Sequence, residues 1–596
     1  MNIANKLNEI LKEYSSGNKI NAYKKFKKIF LKNKENKQLR YNIALMQNEL
    51  GLVIEAKQNY EYLVNNHSYS KAKINLYNIF LKEEDFEKAY KLIVSILKEN
   101  PSLELQKVDK AFVLYKLNKI NESIIECKSI LKINNKNIQA LNIWGLCCFV
   151  SKNFNEANIL FLKALKINKD DIVVLNSLGR LNHEIRESKL AKKYFLQALE
   201  LNSNTYQTLN NIAGFYLEEG EYNKAIKYYK KAYSINSKNN IILNNLGKAY
   251  FNLDEIETAE KYVRKALLKD KTNNDFKKTL SLILLRKHDF ENAWKYFDGR
   301  LGLSDFSSIN HSFSLIEKKL LLKNKLDWNS HILVIREQGV GDEILYGSMY
   351  LDMLEKCKNL TIECDERLLP LFKHSFNKKF KNRLIKLGSV STNTDKLKKY
   401  DNTIYAGSLG KFVRNKSSSF PTNAYLKNID NYKDIELDKI LKVNTKLKVG
   451  ISWKSFKNRY AKEKSLTLED FKNLFNLEKN CLFFNLQYGN IHDELNKFIK
   501  ISSHKIITLK NLDLFNNLVG VANLLSKLDI FITVSNSTAH LAGALGVKTL
   551  LVKPINHASY HYWNYPDYKT PWYNNVMMIN KKMLNNKKFV SNFVLN

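Results

Sequence analysis

A helical solenoid followed by an α/β region of two Rossmann-like lobes is the architecture that this 596-residue chain predicts. Three observations carry it. A small residue recurs every 34 residues, with one spacing of 33, at Ala22, Ala56, Ala89, Ser123, Ala157, Ala191, Ala225, Ala259 and Ala293. That register disappears after Phe297. From His331 onward, short apolar runs bounded by turn residues alternate with helical patterns, the signature of parallel sheets joined by crossover helices.

The repeat predicts paired antiparallel helices wound into a right-handed superhelix over residues 3–301: about eight full units and a terminal partial one. The small residue sits where one helix must approach another. Four residues later comes a large or apolar side chain, as at Phe26, Tyr60, Phe161, Phe195 and Tyr229. Three further on stand residues such as Leu63, Ala164, Ala198 and Ala232. With Trp144-Gly145, Leu178-Gly179 and Leu246-Gly247 opening three of the units, this is the tetratricopeptide pattern. Asn142, Asn176, Asn210 and Asn244 occupy the fifth position of four successive units. There a row of amides is expected to face the groove and to bond the backbone of a protein or peptide.

Composition narrows the function classes. An apolar fraction of 44% excludes wholesale disorder. The formal charge of +37 comes mostly from Lys spread along every helix, without aromatic interleaving or a nucleic-acid motif, so no specific nucleic-acid partner is expected. The six cysteines contain no CxxC pair, which suits neither zinc nor a disulfide framework. The first residues lack an apolar core of signal-peptide length, and the run around 518–534 is broken by Lys527 and Asp529. A cytoplasmic protein without a transmembrane segment is the expectation.

After a linker at 302–330, the lobes are expected at 331–430 and 431–596, with strands at 331–337, 360–364, 403–406, 448–453, 481–486, 529–534 and 549–552. Gly339-Val340-Gly341-Asp342 follows the first strand and opens a helix, but Ile344 stands where a dinucleotide fingerprint needs a small residue. In the second lobe, Ser535-Asn536-Ser537-Thr538-Ala539-His540 follows a strand directly and opens a helix containing Ala542, Gly543 and Ala544. The backbone N–H groups of Ser537, Thr538 and Ala539 would point at a phosphate there, aided by the helix dipole. Lys457, Arg459, Lys462 and Lys464 lie on a loop after the strand ending in Trp453, suiting a diphosphate. Asp342 can cap the helix that begins at Glu343, and Trp563, Trp572 and Tyr573 are read as closing the second lobe.

The segments EQGVGDEILYG, GISWKSFKNRYAKEKSL, VSNSTAHLAGALG and TPWYNN resemble the family-nine glycosyltransferases, the heptosyltransferase type with a GT-B fold. The whole chain resembles bacterial proteins that fuse tetratricopeptide repeats to such a domain. Its architecture is similar to that of repeat-bearing protein O-N-acetylglucosaminyltransferases, whose catalytic signatures are not evident in it. The resemblance implies a nucleotide-sugar donor as substrate, inversion at the anomeric carbon, and no cofactor or metal. It implies Asp342 as base for the acceptor hydroxyl, Lys464 as counter-charge to the departing diphosphate, and Gly339, Gly341, Ser537, Thr538, Ala539 and His540 around that diphosphate. Gln487, Ser535 and Asn536 fall where the nucleotide is met, although many relatives carry Asp at the position of Ser535. The alternative function is a non-catalytic repeat scaffold with a degenerate transferase-like domain.

Overall fold

The computed structural model describes residues 3–303, 316, 319–321, 325–429, 432, 434–455, 465–502, 504–553, 561–563, 565 and 568–595. The chain divides into two compact units, Met1–Phe215 and Tyr216–Asn596. The first holds helices only, and the second holds the last repeats together with both sheets.

Helices come in consecutive pairs, from Ile3–Ser15 with Lys19–Lys32 through Asn240–Asn252 with Ile256–Lys269, and end in Asn274–Arg286 with the short Phe290–Phe297. The residues of the 34-residue register explain the pairing. Every small residue from Ala22 to Ala293 is 0% exposed, so each lies wholly inside a helix contact. Gly145 and Gly179 leave room for a ring: a Cβ on either would stand 2.4 Å and 2.5 Å from the Phe161 and Phe195 rings, which the sequence places four residues after Ala157 and Ala191. The turn inside each pair repeats as well. Gly17, Gly51, Glu84, Asn118, Lys152, Arg186, Gly220, Asp254 and His288 all have positive φ, so a tight left-handed turn closes each hairpin although only three of these residues are Gly. Side chains of Asn36, Asp85, Asn137, Asp171, Asn239 and Asn273 then cap the helices that follow, each accepting from a backbone N–H in the first turn.

The first sheet has strands β1 (Ile332–Ile335), β2 (Leu360–Cys364), β3 (Leu384–Lys386) and β4 (Asn402–Tyr405), in the order β3-β2-β1-β4 and parallel throughout. The second adds β5 (Leu447–Ser452), β6 (Cys481–Asn485), β7 (Ile506–Ile507), β8 (Ile530–Val534), β9 (Thr549–Val552), β10 (Lys569–Thr570) and β11 (Tyr573–Ile579). Its order is β10-β11-β9-β8-β5-β6-β7, with only the β10–β11 pair antiparallel. All seven strands expected from the sequence are present, within a few residues at their ends. β3, β7, β10 and β11 are additional: three are two or three residues long, and β11 begins at Tyr573, in the segment read as closing the lobe. The core of the second sheet gathers Val449, Ile451, Trp453, Phe483, Ile532 and Leu550. Among the described residues no helix is long and apolar enough to cross a membrane.

The glycine–phenylalanine contact generates a prediction. Gly179→Ala gains helix propensity, up to about 1 kcal/mol, but must displace the buried Phe195 ring, and overpacking of this kind costs about 1–3 kcal/mol. The expected result is a lower urea midpoint for Gly179→Ala, largely restored in Gly179→Ala/Phe195→Leu. A midpoint equal to or above wild type in the single variant would show that the ring gives way without strain.

Candidate functional site

The site lies in the second unit, where β1 and β8 each run into a helix. Past β1 the chain turns through Gln338, whose φ of 59° is unusual for a residue other than Gly or Asn. Helix Val340–Gly347 starts at Gly339. Asp342 reaches back so that Gly339 N–H donates to its Oδ2 at 3.3 Å. The capping role expected as one reading of Asp342 is therefore present, and its carboxylate stays partly exposed.

Past β8, helix Ser537–Leu545 starts at Asn536. The two helix starts meet: a Cβ on Gly341 would stand 3.1 Å from His540 Cδ2 and 3.4 Å from Ser537 Cα. The structure thus brings Gly341, in the turn that also carries Gly339 and Asp342, against Ser537 and His540. The Ala539 N–H differs from expectation. It donates to Asn536 Oδ1 at 3.0 Å, because an Asn before a helix satisfies one of the N–H groups that would otherwise lack a partner. Of the three groups assigned to an anion, Ser537 and Thr538 N–H remain at the helix start.

Gln487 and Asn536 flank the end of β5. Ser452 Oγ donates to Gln487 Oε1 at 3.0 Å, and Asn536 Nδ2 donates to Ser452 Oγ at 2.8 Å. Gln487 Oε1 also accepts from the N–H groups of Trp453, at 2.8 Å, and Lys454, at 2.6 Å. Both amides therefore join the ends of adjacent parallel strands, the edge where open α/β sheets bind ligands. Ser535 is buried and accepts from Trp563 Nε1 at 3.1 Å. Lys464, with Lys457, Arg459 and Lys462, lies outside the described residues.

His540 is buried among aromatics. Trp563 stacks on it at 4.8 Å and 28°, Tyr562 meets it edge-on at 4.8 Å, and its Nδ1 is 3.1 Å from Tyr573 OH. Burial pushes the Tyr573 hydroxyl well above the ordinary tyrosine range, and the nearby charges of Tyr425 and Asp342 add to the shift. Tyr573 thus belongs to the site as well as closing the lobe.

Two acidic residues beside Asp342 went unrecognised in the sequence. Glu337 is buried against Arg300, which donates from Nε at 3.1 Å and from Nη2 at 2.8 Å. Glu343 is fully buried, accepts from Asp365 N–H at 2.9 Å and pairs with Arg336 at 3.2 Å. No signal in the sequence marks either. Arg300 and Glu337 lie outside any common period, and Glu343 looks like a second acidic residue of a helix's first turn.

Two of the four repeat amides, Asn176 and Asn244, bond to side chains of the following repeat. Asn176 Nδ2 donates to Ile172 O and to Thr208 Oγ1, both at 2.8 Å, and its Oδ1 accepts from Asn211. Asn244 Nδ2 donates to Asp275 Oδ2 at 2.7 Å. Asn142 is buried and Asn210 half-buried. First helices of neighbouring repeats pack side by side, and a short amide near a helix start reaches the next repeat more readily than solvent.

Glu343 generates a pH prediction. Burial raises its carboxyl from 4.5 to about 7, against the opposing pull of Arg336. Between those values the folded protein holds a proton that the unfolded chain releases. The contribution is therefore fully present below pH 4.5 and is lost as pH rises to about 7, about 3 kcal/mol in all. Glu343→Gln keeps an oxygen for the Asp365 N–H without the ionisation. The stability difference, variant minus wild type, should rise by that amount across this window in urea titrations. A flat difference would show that Glu343 ionises freely in the fold.

Comparison with known proteins bears on the repeats. Residues 173–205 and 216–283 each match a tetratricopeptide repeat family. The chain is 28% identical over 235 residues to Protein FlbA of Caulobacter vibrioides, a match that covers 37% of this chain and 39% of that protein. Among solved structures it is similar to a tetratricopeptide repeat protein from Parabacteroides merdae, at 17% identity and TM-score 0.31, over 39% of this chain and 94% of that one. It is also similar to the APC/C hetero-tetramer Cut9–Hcn1, at 15% identity and TM-score 0.36, over 44% of this chain and 53% of that one. The chain therefore carries tetratricopeptide repeats in its N-terminal part, which support a role in protein interaction, ahead of a C-terminal region of parallel sheets.

Proposed function

We propose that this chain is a nucleotide-sugar-dependent glycosyltransferase, inverting and independent of metal, whose repeats recruit a protein acceptor or partner. The observation that supports this reading is the approach of the Gly339–Asp342 turn to the start of helix Ser537–Leu545, at the ends of strands from two parallel sheets. A helix N-terminus offers N–H groups and a positive dipole end to a diphosphate. In this reading Ser537 and Thr538 N–H receive the donor's diphosphate, with Lys464 as counter-charge. Asp342, partly exposed on the opposing lobe, accepts the proton of the acceptor hydroxyl as that oxygen attacks the anomeric carbon. Gly341 leaves no side chain between the two elements. Gln487 acts behind the site, aligning the ends of β5 and β6.

A second reading has its own support. Gln487 Oε1 is already filled by Ser452, Trp453 and Lys454, and Ala539 N–H by Asn536, so two of the groups assigned to the donor are committed within the fold. That favours a repeat scaffold whose α/β region does not transfer sugar.

The two readings part on donor binding and turnover. A thermal-shift screen against UDP-, GDP-, ADP- and CMP-sugars should reveal one class that raises Tm, because a ligand that binds only the native state stabilises it by mass action. Asp342→Asn keeps an oxygen for the Gly339 N–H but cannot take the proton. It should retain that donor's affinity and lower transfer of labelled sugar by about a hundred-fold or more. Equal turnover would remove Asp342 from the mechanism, and binding without transfer to any protein of the source cell would favour the scaffold.

A further inference from the structure

One aromatic ring of the second unit stands apart from the others. The chain has 31 phenylalanines and six tryptophans, and among the described residues Phe515 is the only one of either type that is exposed, at 56%. A phenyl ring left in water forgoes much of the gain that burial gives it. The ring is held all the same. Asp513 Oδ1 accepts from the N–H groups of Phe515, at 2.9 Å, and Asn516, at 3.0 Å, and its Oδ2 accepts from Asn516 Nδ2 at 2.9 Å. Arg367, just past β2 of the first sheet, donates from Nη1 to Phe515 O at 3.3 Å, and its guanidinium lies 5.2 Å from the ring centroid. Nε and Nη2 of the same guanidinium donate to Asp365, both at 2.9 Å. A backbone tied at these points presents the ring in one orientation, which lowers the ordering that a ligand must impose.

The ring's place in the fold says what it can receive. Tyr488, whose ring meets that of Phe515 at 6.0 Å, follows Gln487 at the end of β6. Helix Ser537–Leu545 starts past β8, and β8, β5 and β6 lie side by side and parallel. Two strand spacings, about 10 Å, therefore separate the helix start from the Tyr488 end of the rim. Ser452, Gln487 and Asn536 bridge that interval by hydrogen bonds. One edge of the second sheet thus offers N–H groups at a helix start and, beyond them, an apolar aromatic face. A nucleotide has the matching chemistry: an anion joined through a sugar to a planar ring.

We propose that Phe515 seats, by stacking, the base of a nucleotide whose diphosphate lies at the start of helix Ser537–Leu545, with Arg367 and Asp513 fixing the ring. The identity of that nucleotide as a sugar donor rests on the transferase reading above. Every base has a π-face, so the seat is open to purines and pyrimidines alike.

The experiment is calorimetric titration of the full chain with UDP, GDP, ADP and CMP, for wild type, Phe515→Ala and Phe515→Trp. Phe515→Ala should melt with wild type, because more than half of the side chain lies in water. It should bind each nucleotide that wild type binds about tenfold more weakly or worse, the scale for loss of a stacked base. Phe515→Trp should retain affinity, and the added indole emission should be quenched as nucleotide binds, by more than any change in wild type. Wild-type affinity in Phe515→Ala overturns the proposal, and so does an indole whose emission ignores the nucleotide. Weak binding by both variants also overturns it, since that marks an effect on the loop and not a stack. If wild type binds none of the four, the transferase reading falls and the seat loses its ligand. If wild type and Phe515→Ala bind one of them equally, the seat alone falls and the transferase reading stands.

Discussion

The arrangement of the second unit depends on the buried ion pair between Arg300 and Glu337. Arg300 stands one turn past the last repeat helix, and Glu337 stands two residues past β1. The guanidinium fork meets both carboxylate oxygens, while Phe297 O, Asp298 Oδ1 and Ser408 Oγ accept its remaining protons and Gly407 N–H donates to Glu337 Oε1. Burial still raises the Glu337 carboxyl despite Arg300, so desolvation offsets much of the pair's attraction. Its effect is directional. A planar fork satisfied on every side admits one placement of the last repeat on the sheet. Losing Arg300 would leave the buried Glu337 carboxyl without its counter-charge, which costs about 3–5 kcal/mol.

Around that pair the apolar contacts follow. Trp294 Nε1 donates to Arg414 O at 2.7 Å, and its ring covers Gly410, where any Cβ would overlap it. Phe290 meets Phe420 at 4.7 Å, and Leu301 joins the core of the first sheet with Leu333 and Ile335. The terminal repeat buries its aromatic residues against the α/β region where an interior repeat would bury them against another repeat. The turn that carries Asp342 begins just past Glu337, so the same anchor positions the candidate site.

The architecture was legible in the sequence because it rests on periodic signals. The 34-residue register marks buried small residues, and apolar runs of four to six mark the central strands. The Gly-Val-Gly-Asp turn and the Ser-Asn-Ser-Thr-Ala-His turn were legible as helix starts for the same local reason. What the side chains there do was not. Asn536 shows its N-cap oxygen to Ala539, and Gln487 sits beneath the site with its oxygen filled by β5, because strand ends brought side by side need acceptors for their last N–H groups. The β5 residues that Gln487 and the Asn536 amide nitrogen bond to lie 33 to 84 residues away, a separation that no window over the sequence spans. The left-handed turns of the repeats were hidden differently, since six of the nine are held by residues other than Gly and the hairpin itself supplies the strain.

If the transferase reading holds, recognition of a nucleotide falls to groups at the rim, because Gln487 Oε1 and the Asn536 amide are committed to the fold. Tyr488 follows Gln487, and its ring lies 6.0 Å from that of Phe515, a large apolar side chain 56% exposed to solvent. Arg367 of the first lobe covers the Phe515 ring at 5.2 Å and donates to its carbonyl at 3.3 Å. Arg367 is held by Asp365, Asp365 by Arg336, and Arg336 by Glu343, the residue after Asp342. An aromatic ring next to a cation accepts a planar base by stacking without reading its edges. On the transferase reading, that geometry would discriminate weakly among bases. The Phe515 ring is thus joined to the buried carboxyl beside Asp342 through Arg367 and three ion pairs.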